Sequence, residues 1–200
     1  RLTLTANNCA SNGSTTNGTL SITVSGSSGN VFYTSPGTLT LDAQFTNFQT
    51  TTGSNGHFVN GDMKLAIAST NNTDATFTVS GQSLQVTELR SGATIATLGL
   101  TGYSIITDMR GTTGTTTADF SVSGNVNGTG QFAYTVRNLQ PFVRTTGSAA
   151  SSGSMIVYGG LATVTATVVS GGVRVDYSAK GDGVVTQSST LSWNDFSAGF

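Results

Sequence analysis

Charge is what this sequence has least of. Lys, Arg, Asp and Glu together make up 8% of its 200 residues, against about a quarter of an average soluble domain. The eight basic residues are scattered singly and the net charge is −1. They form no basic stripe, which excludes nucleic acid as a partner. Histidine and glutamate occur once each, as His57 and Glu88. General bases are most often histidines, and a Ser/His/Asp site requires one. His57 follows Asn55-Gly56 at a turn, where an exposed, solvated side chain is expected. Paired-carboxylate hydrolysis would have to use aspartates such as Asp42, Asp62, Asp108 or Asp119, all on or beside expected strands. One cysteine and one histidine do not make a zinc site. Lys180-Gly181-Asp182-Gly183 offers one carboxylate where calcium needs several oxygen ligands, so it reads as a turn. Neither a Gly-x-Ser-x-Gly elbow nor a Gly-Lys-Ser/Thr phosphate loop occurs. No catalytic, cofactor-binding or metal-binding residue is assigned, and an enzyme is the last choice among the functions.

Cys9 is the lone cysteine. It is either a free thiol or half of a disulfide whose partner lies elsewhere. No apolar run approaches the roughly 20 residues of a membrane helix, so no transmembrane segment is expected. Arg1-Leu2-Thr3-Leu4-Thr5 already alternates like a strand, so the chain reads as one that begins after processing.

What the chain does have is alternation. Leu20, Ile22 and Val24 point one way, and Thr19, Ser21, Thr23 and Ser25 the other, the period of a half-buried strand. The 36 threonines and 25 serines supply the polar face that charge does not, and threonine suits a strand. Similar patterns run through Leu39–Phe45, Met63–Ile67, Ala75–Val79, Phe120–Val126, Phe132–Val136, Val164–Val168 and Val173–Tyr177. Val-Ser-Gly follows four times, ending at Gly26, Gly81, Gly124 and Gly171, and reads as a strand closure. Arg90-Ser91-Gly92, Asn127-Gly128-Thr129-Gly130 and Gly171-Gly172 predict hairpin turns, the Asn-Gly pair with both central residues at positive φ. Thr50–Gly56 and Thr145–Ser154 read as long polar loops. No window carries a helical period. The expectation is one all-β domain over 1–200, with roughly a dozen antiparallel strands and no significant helix. It is a sandwich, an open barrel or a long meander, with a two-layer core.

The order of soft motifs resembles a loosely defined group of proteobacterial exported, often lipid-anchored β proteins of unassigned function. The likeness rests on Asn7-Asn8-Cys9, Asn17-Gly18-Thr19-Leu20, Phe45-Thr46-Asn47-Phe48, a Val59-Asn60-Gly61 turn, Pro141-Phe142-Val143, Ser152–Met155 and Thr190–Trp193. It spans nearly the whole chain. The group usually has a second upstream cysteine and an acidic Asp-Gly run before the last strand. Here the first is missing and Asp182-Gly183 alone remains. The resemblance implies export and an all-β fold, and carries no activity.

The leading functional expectation is a non-enzymatic structural protein, extracellular or at the surface of a Gram-negative bacterium. It would be a self-associating filament subunit held by β-strand donation. Arg1, Leu2, Thr3, Leu4 and Thr5 are the candidate inter-subunit strand. The alternative is a periplasmic or outer-membrane-associated carrier of lipid or another apolar ligand. Small residues on its inward face (Ala43, Ala75, Ala133, Ala166) would leave room for an acyl chain. A glycan-binding module is a third reading. It would use exposed aromatics on one face, with Tyr33, Tyr103 and Tyr158 the least committed to packing.

Overall fold

A computed structural model describes residues 1–29 and 36–198, so Tyr33 lies outside the described residues. Twelve strands follow one another: β1 Leu2–Ser11, β2 Ser14–Gly29, β3 Gly37–Thr52, β4 Asn55–Ser69, β5 Ala75–Arg90, β6 Ala93–Arg110, β7 Thr113–Val126, β8 Gly130–Thr145, β9 Ala150–Gly159, β10 Ala162–Val169, β11 Gly172–Ser178 and β12 Gln187–Ser192. They form one antiparallel sheet in sequence order that does not close into a barrel. Of the three architectures the pattern allowed, the chain adopts the long meander. A single short helix, α1 Trp193–Ala198, ends the described chain. Ser192 caps it by accepting the Asp195 N–H at 3.2 Å.

The expected two-layer core is not formed. Among the described residues, each strand touches only its neighbours in sequence, and α1 touches only β11 and β12. Ala6, Tyr103, Val136, Ala166 and Val173 are the buried apolar residues among those described. The accessible surface is 11796 Å², whereas a compact monomer of this 20.3 kDa mass exposes about 8,800 Å². The alternation that marks a half-buried strand shows that one face is apolar. It does not say whether anything in the same chain covers that face.

Register shows how sharply the two faces divide. Residues directly opposite across an antiparallel pair share a face. One unbroken row runs Leu4–Leu20–Phe45–Gly61–Leu84–Leu100–Val122–Tyr134 across eight strands. A second runs Val24–Leu41–Leu65–Val79–Ile105–Ala118. On the opposite face the row Thr23–Asp42–Lys64–Ser80–Ser104–Asp119 is polar throughout. The ion pairs Lys64–Asp42 (3.6 Å), Arg110–Asp108 (3.0 Å) and Arg174–Asp176 (2.9 Å) belong to that polar face, where exposed pairs stabilise little. Ala133 pairs with Ser123 and so lies on the polar face, not with Ala43, Ala75 and Ala166 on the apolar one.

The Val-Ser-Gly segments do not close strands, with one exception. Gly26, Gly81 and Gly124 lie inside β2, β5 and β7, and Gly171 alone sits in a turn. A side chain at Gly81 would run into the ring of Tyr103, and one at Gly124 into Phe132 at 2.8 Å. Glycine there makes room for an aromatic side chain reaching over from the next strand, a cross-strand rescue of a poor strand former. The two long polar loops are also shorter than expected. β3 and β4 are separated by two residues, and β8 and β9 by four. Asn127 is not at positive φ. The turns with both central residues at positive φ are Asn12-Gly13 (49° and 77°) and Ser91-Gly92 (53° and 77°).

Candidate functional site

Three features could do something chemical or mechanical: a row of latched bulges, the apolar face and the open edges. Several bulges interrupt the ladder within β1–β8, among them those at Ala6/Cys9, Phe45/Phe48, Gly61/Lys64, Thr101/Ser104 and Thr116/Phe120. An extra residue in a ladder leaves a backbone N–H without its cross-strand acceptor. Side chains take over here. Asn17 Oδ1 accepts from the Asn8 N–H at 2.7 Å and Asn60 Oδ1 from the Asn47 N–H at 2.6 Å. Asp62 accepts from both Gln82 and Ser83 (2.9 and 3.0 Å). Asn138 Oδ1 accepts from the Ala118 N–H, and Asp119 from the Asn138 N–H. Asn8 and Asn47 adopt positive φ at these points.

Several motifs of the noted resemblance therefore have a local structural role. Asn7-Asn8-Cys9, Phe45–Phe48 and Val59–Gly61 are the bulges and their latches, and the last of these lies within β4 instead of at a turn. Asp62 and Asp119 were legible as outward-facing carboxylates. Their work as backbone acceptors was not, because it depends on a bulge in another strand.

Tyr103 completes the row. It is buried on the apolar side, and its hydroxyl donates to the backbone carbonyl of Asp62 at 2.6 Å. Burial, aided by the nearby Asp62 charge, pushes its phenol above the ordinary tyrosine range.

Asp74, in the β4–β5 connection, holds two connections together. It accepts the Gly111 N–H at 2.8 Å from the β6–β7 turn and the Asn71 amide at 3.1 Å. The Gly111 hydrogen bond is the main cause, followed by Asn71, of a carboxyl held below its usual range. A lowered folded-state value means that the stabilisation is present at neutral pH and fades as pH falls through that value. Melting of wild type and Asp74→Ala should therefore differ at pH 7 and converge below about pH 4, near the ordinary carboxylate value. A difference that persists at acid pH would remove Asp74 from this role. Asp176 is lowered likewise, first by the Ser188 hydroxyl at 2.6 Å and then by Arg174.

The structure places Arg1–Thr5 at one edge of the sheet. Leu2–Ser11 pairs with β2, as Leu2 with Ile22 and Leu4 with Leu20. Arg1 Nη2 donates to Ser21 Oγ at 3.3 Å. The other side of β1 faces no strand among the described residues, and Leu2 and Leu4 are 67% and 53% exposed. Cys9 is exposed and free on that strand. His57 is exposed on β4, opposite Thr50 and Glu88. Among the described residues no three His, Cys, Asp or Glu side chains come together as a metal site, and no helix is long and apolar enough to cross a membrane.

Most of the aromatics lie on the apolar face, where Phe77 and Tyr134 are 40% and 37% exposed. Phe45 and Phe48 meet edge to face at 6.1 Å, and Phe132 stacks on Tyr134 at 5.9 Å, both pairs on the apolar face. Tyr158 pairs with Thr135 and Thr163 on the polar face. Of the depressions in the surface, one is an open trough over Gly99, flanked by Gln85, Ser123 and Gln131 on the polar side. Comparison with family models, with curated proteins and with solved structures returned no match.

Proposed function

We propose that the protein is a non-enzymatic structural protein of the cell exterior, a filament subunit whose copies join edge to edge by β-strand addition. The observation that carries this reading is the state of the sheet's margins. β1 and β12 each have one unpaired edge among the described residues, and β1 also bears the exposed Leu2 and Leu4. An open edge with apolar side chains is a template for pairing with another chain, and the bulge that interrupts β1 at Ala6/Cys9 lies beyond the regular Leu2–Thr5 segment. Joining β1 of one copy to β12 of the next is a head-to-tail contact. Such contacts give open filaments unless their rotation closes a ring. The low charge of the chain and its Thr/Ser surface suit an extracellular site, and the surface of a Gram-negative bacterium is the setting the sequence resemblance suggests.

Negative-stain microscopy of the purified chain is expected to show regular filaments. Removing Arg1–Asn7, or Leu2→Lys with Leu4→Lys, should leave a folded chain that does not polymerise. Filaments that persist in both variants would overturn strand addition through β1. A second reading, a carrier of lipid or another apolar ligand, is favoured by the open apolar face, where Val24, Phe77, Leu98 and Ile105 are 38–53% exposed. Native mass spectrometry showing a stoichiometric lipid on a monomer would favour it over the filament.

A further inference from the structure

The apolar face raises a question separate from the edges. Ordinary soluble monomers expose contiguous apolar patches of a few hundred Å². This chain exposes about 3,000 Å² more than a compact monomer of its mass, and the centre of one side of its sheet is apolar. We infer that this face is covered by the same face of a second copy, giving a two-layer sandwich made of two chains. The inference concerns the face, and it extends the reading of a self-associating protein.

Four observations select that occupant. The first is area. An excess of about 3,000 Å² on each chain, about 6,000 Å² for a pair, is at the upper end of what obligate homodimers bury, and it far exceeds what a small ligand covers. The second is charge. The row through Leu65 and Val79 carries none, and three of the four ion pairs sit on the opposite side, while Glu88 and Arg90 pair with each other at one end of β5, so the centres of two apolar faces meet without repulsion or unpaired charge. The third is relief. Small residues alternate with large ones on the face, as Ala43 beside Phe45 and Ala75 beside Phe77, which lets two identical faces interdigitate as inner sandwich faces do.

The fourth is outline. In the middle of the sheet the apolar residues of β5 extend from Ala75 to Val86. In β2 they run only from Leu20 to Val24, in β11 only from Val173 to Tyr177, and in β12 they reduce to Leu191. A face that narrows toward both margins has the centre and rim of a protein interface. A bilayer would require a band of constant height, about 25 Å, around every strand.

The test is the mass of the full chain by light scattering. Wild type is compared with Leu65→Lys/Val79→Lys at the centre of the apolar face and with Thr40→Lys/Thr78→Lys at the same level of the polar face. The expected result is a dimer, or a multiple of one, for wild type and the polar-face variant. The apolar-face variant should associate at least a hundredfold more weakly. If that variant does not fold, Leu65→Thr/Val79→Thr retains strand propensity and should show the same direction of change. A monomeric wild type, with or without bound lipid, overturns the inference. So does association that is equal in all variants, which would place the contact at the edges alone. Dimers without filaments would refute the filament function and leave the face-to-face pairing standing.

Discussion

Gly61→Ala is expected to lower the unfolding free energy by about 3 kcal/mol or more, combining backbone strain with overpacking. Gly61 stands in the middle of the apolar row, between Phe45 and Leu84, with φ at +118°. Side chains other than glycine's rarely tolerate that conformation. A Cβ there would also collide with the carbonyl oxygen of Ser83 and lie 2.9 Å from Leu84 Cα. Neither neighbour is a flexible side-chain end that could move aside. The next residue, Asp62, holds the Gln82 and Ser83 N–H groups of the bulge, so shifting β4 away from Ser83 also breaks the latch. Gly92→Ala is the control. Gly92 has positive φ too (77°), but a Cβ there meets nothing within 4 Å, and the cost should stay at about 1–2 kcal/mol. Urea unfolding followed by far-UV circular dichroism separates the two. Equal losses would mean that the close approach of β4 and β5 at Gly61 has no bearing on stability.

Tyr103→Ala should cost about 3–5 kcal/mol, the range for removing a large buried aromatic side chain. Tyr103→Phe should cost about 1 kcal/mol, the worth of one hydrogen bond. The phenol lies over Gly81, which has no side chain of its own, and donates to the Asp62 carbonyl. Truncation therefore uncovers a glycine in mid-strand and frees the end of the bulge together. The pH dependence has the opposite sign to that of Asp74. A raised phenol value stabilises the fold fully below about pH 10, the ordinary tyrosine value, and this is lost as pH rises through the folded-state value. Tyr103→Phe should accordingly lose that part of the alkaline transition. If Phe and Ala at this position were equally destabilising, the hydroxyl, not the ring, would be the important part.

Local features of this fold were legible in the sequence, and those depending on a second strand were not. Leu20–Ile22–Val24 and Val173–Val175–Tyr177 announce their strands and faces, and Ser91-Gly92 and Gly171-Gly172 announce their turns. Val79-Ser80-Gly81 reads as a closure because nothing in those three residues shows that the ring of Tyr103, 22 positions later, occupies the space over Gly81. Asp62 reads as a solvated carboxylate, and Val59-Asn60-Gly61 as a turn, for the same reason. The N–H groups that Asp62 and Asn60 accept belong to β5 and β3. The number of layers was illegible in principle, since alternation in β4 and β5 is the same whether the apolar side is covered by the same chain or another one. Of the candidate inter-subunit residues, Leu2, Thr3, Leu4 and Thr5 lie in the edge strand β1, and Arg1 just precedes it. The wide apolar face was foreseen as two layers within one chain, and the chain provides one.

Sedimentation equilibrium of the unmodified chain over a range of concentrations bears most directly on self-association. The mass is expected to be at least twice the 20.3 kDa of one chain at micromolar concentration, rising further as filaments form. A species that stays at 20.3 kDa across the range, with its apolar face in water, would contradict both the edge and the face as sites of assembly.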